Sequence, residues 1–185
     1  RFPLPYMRLD GFDPGAVPGE PRDGGDAAGG TTLEDVDLET VDRWVLSRLQ
    51  AVEREMTDHY EDFRQDRALE ALLDFVVEDV SRFYIQVVRE RMWDDADSPS
   101  KRAAYATVYE LLSEVVTLFA PFAPHVADDI YGTLTGEDGF DTVHMCDWPE
   151  PMETLRDPGL EDDIAVVRAV EEAGSNARQQ AERKL

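Results

Sequence analysis

Cysteine is nearly missing: Cys146 stands alone in 185 residues. No internal disulfide can form, and the usage fits a reducing compartment. Three widely spaced histidines and one thiol are too few for a structural zinc site, so no metal site is expected. His144 and Cys146 lack a partner pair and read as packing residues. No apolar run is long enough to span a bilayer, so no membrane is expected as a partner. There is no G-x-x-x-x-G-K-[ST] phosphate loop, no G-x-S-x-G elbow and no H-E-x-x-H. No catalytic residues are assigned. Lysine is also scarce. Lys101 and Lys184 are the only ones, and arginine makes up the rest of the 18 basic residues.

Acid, by contrast, is abundant. Asp and Glu number 41, giving a formal net charge of −23. With 42% hydrophobic residues the chain can still bury a core. A charge of this sign argues against polyanion partners at low salt. An acid-rich, lysine-poor surface suits concentrated salt, where the Debye length falls to roughly 3 Å at 1 M. In that setting net charge says little about the partner, and local arginines say more.

Residues 1–10 are apolar, and 11–32 are rich in Gly, Pro and Asp, which reads as a flexible linker or surface insertion. A helix is expected over 38–61, capped by Asp37, with Val41, Val45, Leu49, Val52 and Met56 along one face. A second is expected over 66–92, with Leu72, Val76, Val80, Phe83 and Val87 as its core stripe. Trp93–Ser98 reads as a turn. Ser100 is expected to cap a third helix to about 119, and Pro124 to open a fourth over 124–134. Residues 135–156 read as loop with an extended stretch at 142–146. A fifth helix is expected from 157, carrying Ile164, Val167, Val170 and Ala177. The pattern is all-α, a four- to five-helix bundle. The chain opens without methionine and is still helical in pattern at Lys184-Leu185, which reads as a piece of a longer protein.

The local exception to the acidity is on the second helix. Arg82, Gln86, Arg89 and Trp93 are spaced 4, 3 and 4 apart and fall within about 60° of one another. Arginine offers a fork of donors, and tryptophan offers a stacking plane. Arg91 lies nearby in sequence but not on the same face, Lys101 and Arg102 start the next helix across the turn, and Arg43 and Arg48 on the first helix could extend the surface. The pattern alone fits either RNA or a protein partner. Trp44, Phe83, Phe119, Phe122 and Trp148 read as core, His59 as solvent-facing, and acidic pairs such as Asp128-Asp129 as solvated.

Several segments carry a family resemblance: Asp42–Leu49 (DRWVLSRL), Glu78–Trp93 (EDVSRFYIQVVRERMW), Leu118–Ile130 (LFAPFAPHVADDI) and Val143–Pro149 (VHMCDWP). Together they resemble the anticodon-binding region of isoleucyl-tRNA synthetases of the archaeal and eukaryotic-like type, with a composition suggesting a haloarchaeal source. Tyr6–Pro14 (YMRLDGFDP) resembles the stretch that joins the catalytic domain to the bundle, and Arg183–Leu185 the start of a further segment. Phe83 stands where tryptophan is commoner. The S-R-x-Y-I…R-x-R-x-W pattern favours the isoleucyl enzymes. The valyl and leucyl enzymes, or a stand-alone acidic protein-docking module, remain the alternatives.

The resemblance implies a class Ia anticodon-binding fold. It divides the chain into a connector and insertion (1–32), a helical bundle (33–156) and a further helix (157–185). It implies a class I isoleucine-tRNA ligase as parent enzyme, using ATP and Mg in a catalytic domain. The HIGH and KMSKS signatures and the editing domain are absent from these residues, so no cofactor and no isoleucine activation are expected here. The implied partners are the anticodon stem-loop of tRNA(Ile) and the parent's catalytic domain, in a cytoplasmic monomer. The implied RNA contacts are Arg82, Gln86, Arg89 and Trp93. Arg91, Arg43, Arg48, Lys101 and Arg102 are implied for the phosphate backbone.

Overall fold

The structure, a computed structural model, describes residues 3–14, 31–136 and 139–180. The interior of the Gly/Asp-rich stretch, the closing Arg183–Leu185 segment and Lys184 lie outside the described residues. The described residues contain helices and no strand. A short helix α1 (Pro3–Leu9) precedes α2 (Thr40–Glu61). Then come α3 (Gln65–Asp74), a π-helical stretch (Phe75–Tyr84) and α4 (Ile85–Trp93), which run on as one rod. α5 (Pro99–Phe119), α6 (Pro124–Thr135) and α7 (Pro158–Gln180) follow. The all-α expectation holds.

Helix starts differ from the sequence reading in instructive ways. α2 begins after Glu39, not Asp37, because Asp42 Oδ2 accepts the Glu39 N–H at 3.0 Å. α5 is capped by Ser98, whose hydroxyl accepts the Lys101 N–H at 3.2 Å; Pro99 then fills the first turn. Residues Val143–Met145 form a 3-10 turn rather than an extended stretch. Asp128 organises that turn, accepting from Thr142 Oγ1 at 2.6 Å and from the Val143 N–H at 3.1 Å, so it is not simply solvated. The turn after α2 holds Phe63 at a φ of 59°, a left-handed conformation in a non-glycine residue.

The core forms where α2 meets the α3–α4 rod and α5. Val45, Leu49, Val52 and Met56 are buried as expected, Val41 at the start of the stripe is only half-buried, and Trp44 joins the buried set. Burial of each such side chain contributes about 1.5–3 kcal/mol. On the rod, however, the buried series is Ala68, Leu72, Phe75, Asp79, Tyr84, Val88 and Met92. Between Asp79 and Tyr84 it takes a five-residue step, the spacing of an i→i+5 hydrogen-bonded turn. The expected stripe therefore slips. Val76, Val80 and Phe83 are only half-buried, and Val87 is 48% exposed.

At the flanks, α6 adds Ala127, Tyr131 and Leu134 to the core. α7 packs through Leu160 and Ile164, whereas Val167, Val170 and Ala177 are exposed, contrary to expectation. Its attachment is largely polar. Arg48 bonds Asp79 at 3.0 Å and Glu161 at 3.4 Å, and Arg168 bonds Asp79 at 2.5 Å. Thr31 N–H donates to Asp13 C=O at 2.8 Å, so the backbones on either side of residues 15–30 meet.

Candidate nucleic-acid interface

The π-helical stretch decides which side of the rod faces solvent. With Asp79, Tyr84, Val88 and Met92 turned inward, Arg82, Gln86, Arg89 and Trp93 are all exposed. They occupy one outward ridge about 16 Å long, at 1.5 Å per helical residue. The Arg89 guanidinium carbon lies 3.9 Å from the centroid of the Trp93 ring, a close cation–π contact. Among the described residues Arg89 has no carboxylate partner, and the Gln86 side chain has no hydrogen-bond partner. Arg82 pairs with Glu78 at 2.6 Å, one turn earlier on the same helix. That pair is solvent-exposed on both sides, so it holds Arg82 only weakly.

Three of the sequence candidates have a different place. Arg91 turns inward, and its two terminal nitrogens donate to Asp42 at 3.1 and 2.9 Å; Nη2 also reaches the Ser100 carbonyl at 2.7 Å. Burial opposes its charge, but Asp42 outweighs this and raises its pKa. Lys101 is buried, bonding the Asp94 carbonyl at 2.7 Å and the Asp10 carboxylate at 2.6 Å. Arg48 spans Asp79 and Glu161, as above; burial works against its charge, and those two carboxylates raise its pKa above its usual value. These cations hold helices together rather than standing free for phosphate. Spacing already sets Arg91 about 200° around the helix from Arg89. For Arg48 and Lys101 it gave no such sign, because their carboxylates come from other parts of the chain.

The remaining two are exposed. Arg102 is held by Asp97 through two bonds, one of them Nε to Oδ1 at 2.8 Å. Arg43 is exposed on α2, with no side-chain partner among the described residues. Trp44, next to it, is buried, and Phe83, Phe119, Phe122 and Trp148 pack against the core, as expected. His59 is half-buried rather than solvent-facing, with Nε2 3.7 Å from Glu55.

One ring escaped the sequence reading. Tyr6 of α1 stands 6.2 Å from Trp93, centroid to centroid, with the planes at 45°. Nothing in the local sequence marks it, because its neighbour comes from a helix far along the chain. The ridge thus presents two neighbouring aromatic rings, with a guanidinium lying over one of them. That set can stack a planar ligand and donate hydrogen bonds to it or to phosphate.

The surrounding chemistry holds the ridge in shape. Asp42 is fully buried and accepts from Tyr84 Oη at 2.8 Å, from Arg91 and from the Glu39 N–H, so its charge is satisfied. Burial pushes the Tyr84 hydroxyl well above its usual pKa, and the Asp42 charge adds to the shift. No group of three or more His, Cys, Asp or Glu side chains among the described residues is placed to hold a metal ion.

A family model for the anticodon-binding domain of tRNA ligases matches residues 42–185. Isoleucine–tRNA ligases of Natronomonas pharaonis, Haloarcula marismortui and Halobacterium salinarum are 64%, 63% and 62% identical to the chain along its whole length. The chain spans 16% of the Natronomonas relative and 17% of the Halobacterium one. The acid-rich, lysine-poor composition accords with these haloarchaeal relatives.

Proposed function

Because this chain belongs to the family of anticodon-binding domains of tRNA ligases, we propose that its bundle receives the anticodon arm of an isoleucine tRNA. The observation that carries the reading is the outward ridge on which Arg89 lies against Trp93, with Gln86 and Arg82 one and two turns back. RNA loops are read by splaying bases onto aromatic or guanidinium planes and hydrogen-bonding their edges. Arg89 and Trp93 supply the plane, and Gln86 the edge contact. Arg82, Arg43 and Arg102 are the exposed cations left for phosphate. Arg91, Arg48 and Lys101 act from within, by fixing the helices that carry the ridge.

In this reading residues 33–156 form the receiving bundle, with 1–32 and 157–185 as its flanks. Joining isoleucine to tRNA, with its ATP and Mg chemistry, is the work of the parent ligase's catalytic domain. The anticodon bundle docks beside that domain in a monomeric cytoplasmic enzyme. Equilibrium titration of the chain with anticodon stem-loops of isoleucine, valine and leucine tRNAs tests the assignment. Tightest binding to the isoleucine arm is expected. Equal binding to all three would remove the specificity, and no binding would remove the function.

A further inference from the structure

Tyr6 lies outside residues 42–185, the part matched by the family model. It is nonetheless firmly positioned. Its neighbour Met7 is buried in the core, at 3% exposure. Arg8 donates to the Thr133 carbonyl at 2.5 Å. Asp10 receives Lys101 at 2.6 Å and the Tyr105 hydroxyl at 2.5 Å. These ties hold α1 against α4, α5 and α6, so the Tyr6 ring has a defined place beside Trp93.

The two rings are 38% and 39% exposed. At 6.2 Å and a 45° tilt they do not cover one another. The Arg89 guanidinium covers one face of Trp93, and the remaining ring surface and the guanidinium itself face water. The Arg89 guanidinium adds a third planar group to the set. The immediate surroundings are acidic, with Glu90, Asp94 and Asp95 all exposed. A ligand held mainly through its charge would be repelled here. A ligand held by stacking would not.

We propose that Tyr6, Trp93 and Arg89 form a seat for one unpaired nucleobase of RNA. The inference rests on the anticodon-arm reading above and extends it to a composite site that includes α1. An unstacked loop base can offer its face to the rings, whereas a paired base in a stem has its faces covered. The seat therefore separates loop from duplex. It tolerates different bases, since every base has a π-face. Arg89, lying on Trp93, donates to the edge of the seated base or to its phosphate.

The test uses the full 185-residue chain, an anticodon stem-loop of isoleucine tRNA with 2-aminopurine in the loop, and a blunt duplex of the same stem. Dissociation constants and 2-aminopurine quenching are measured at fixed salt. Tyr6→Ala is expected to weaken stem-loop binding about fivefold or more, to reduce the quenching, and to leave duplex binding unchanged. Tyr6→Phe should bind like the parent. Tyr6→Leu, which keeps an apolar contact with Trp93 but has no ring, should bind as poorly as Tyr6→Ala. If Tyr6→Ala and Tyr6→Leu bind the stem-loop as the parent does while Arg89→Ala/Trp93→Ala loses it, the seat is overturned and the anticodon-arm reading stands. If the parent binds neither RNA, both are overturned.

Discussion

Arg91 grips the buried carboxylate of Asp42 with both terminal nitrogens, at 3.1 and 2.9 Å, and so locks α4 to the first turn of α2. The pair lies directly behind the exposed ridge. Breaking a buried pair by removing one partner typically costs about 3–5 kcal/mol. Asp42→Ala also takes the acceptor from Tyr84. It should destabilise the bundle by about 3 kcal/mol or more, read as a large drop in thermal midpoint by circular dichroism. A loss under about 1 kcal/mol would mean that the pair does not hold the helices.

The five-residue step in the rod is tested by two adjacent valines. Val87 is 48% exposed, whereas Val88 is fully buried. Denaturant melts should show Val87→Ser within about 0.5 kcal/mol of the parent. Val88→Ala should cost about 1–3 kcal/mol, through lost burial and the cavity left behind. The reverse order would restore an uninterrupted α-helical register.

That register also shows what was legible in the sequence. Helix positions, the α2 core face and the grouping of Arg82, Gln86, Arg89 and Trp93 follow from local periodicity, and the structure agrees. The core stripe of the rod slipped because a regular 3.6-residue repeat carries no sign of a π-helical stretch. The inward turn of Arg91, Arg48 and Lys101 depends on Asp42, Asp79, Glu161 and Asp10, which come from other parts of the chain. Tyr6 was missed for the same reason. Val167 and Val170 fit a helical stripe, yet α7 gives that stripe nothing to bury against among the described residues.

Hydrogen bonds from Lys101, and next from Tyr105, hold the Asp10 carboxyl below its usual pKa. A carboxyl lowered in the folded state stabilises fully above its unfolded value of about 3.9, and the contribution is lost as pH falls through the lower folded value. Asp10 is 40% exposed, so the effect on global stability is small. Limited proteolysis across a pH series should show α1 loosening only below about pH 4. Asp10→Asn should loosen it at neutral pH as well. Release of α1 between pH 6 and 8 in the parent would contradict this.

Salt should affect RNA binding only mildly. Each neutralised phosphate on a single strand contributes about −0.7 to the slope of log affinity against log salt. Of the cations left for phosphate, Arg82 and Arg102 already face acids and Arg43 does not, and Arg89, lying on Trp93, adds at most one contact. The expected slope for an anticodon stem-loop is therefore no steeper than about −3. A slope of −6 or beyond would show that phosphate contacts, not stacking, carry the affinity.

The most direct measurement compares the parent with Arg89→Ala/Trp93→Ala by isothermal titration against the isoleucine anticodon stem-loop, beside thermal melts of both proteins. Both side chains are exposed, so the double variant should melt close to the parent. Its affinity should fall by tenfold or more. Unchanged affinity in a folded double variant would show that the RNA binds elsewhere on this acidic bundle.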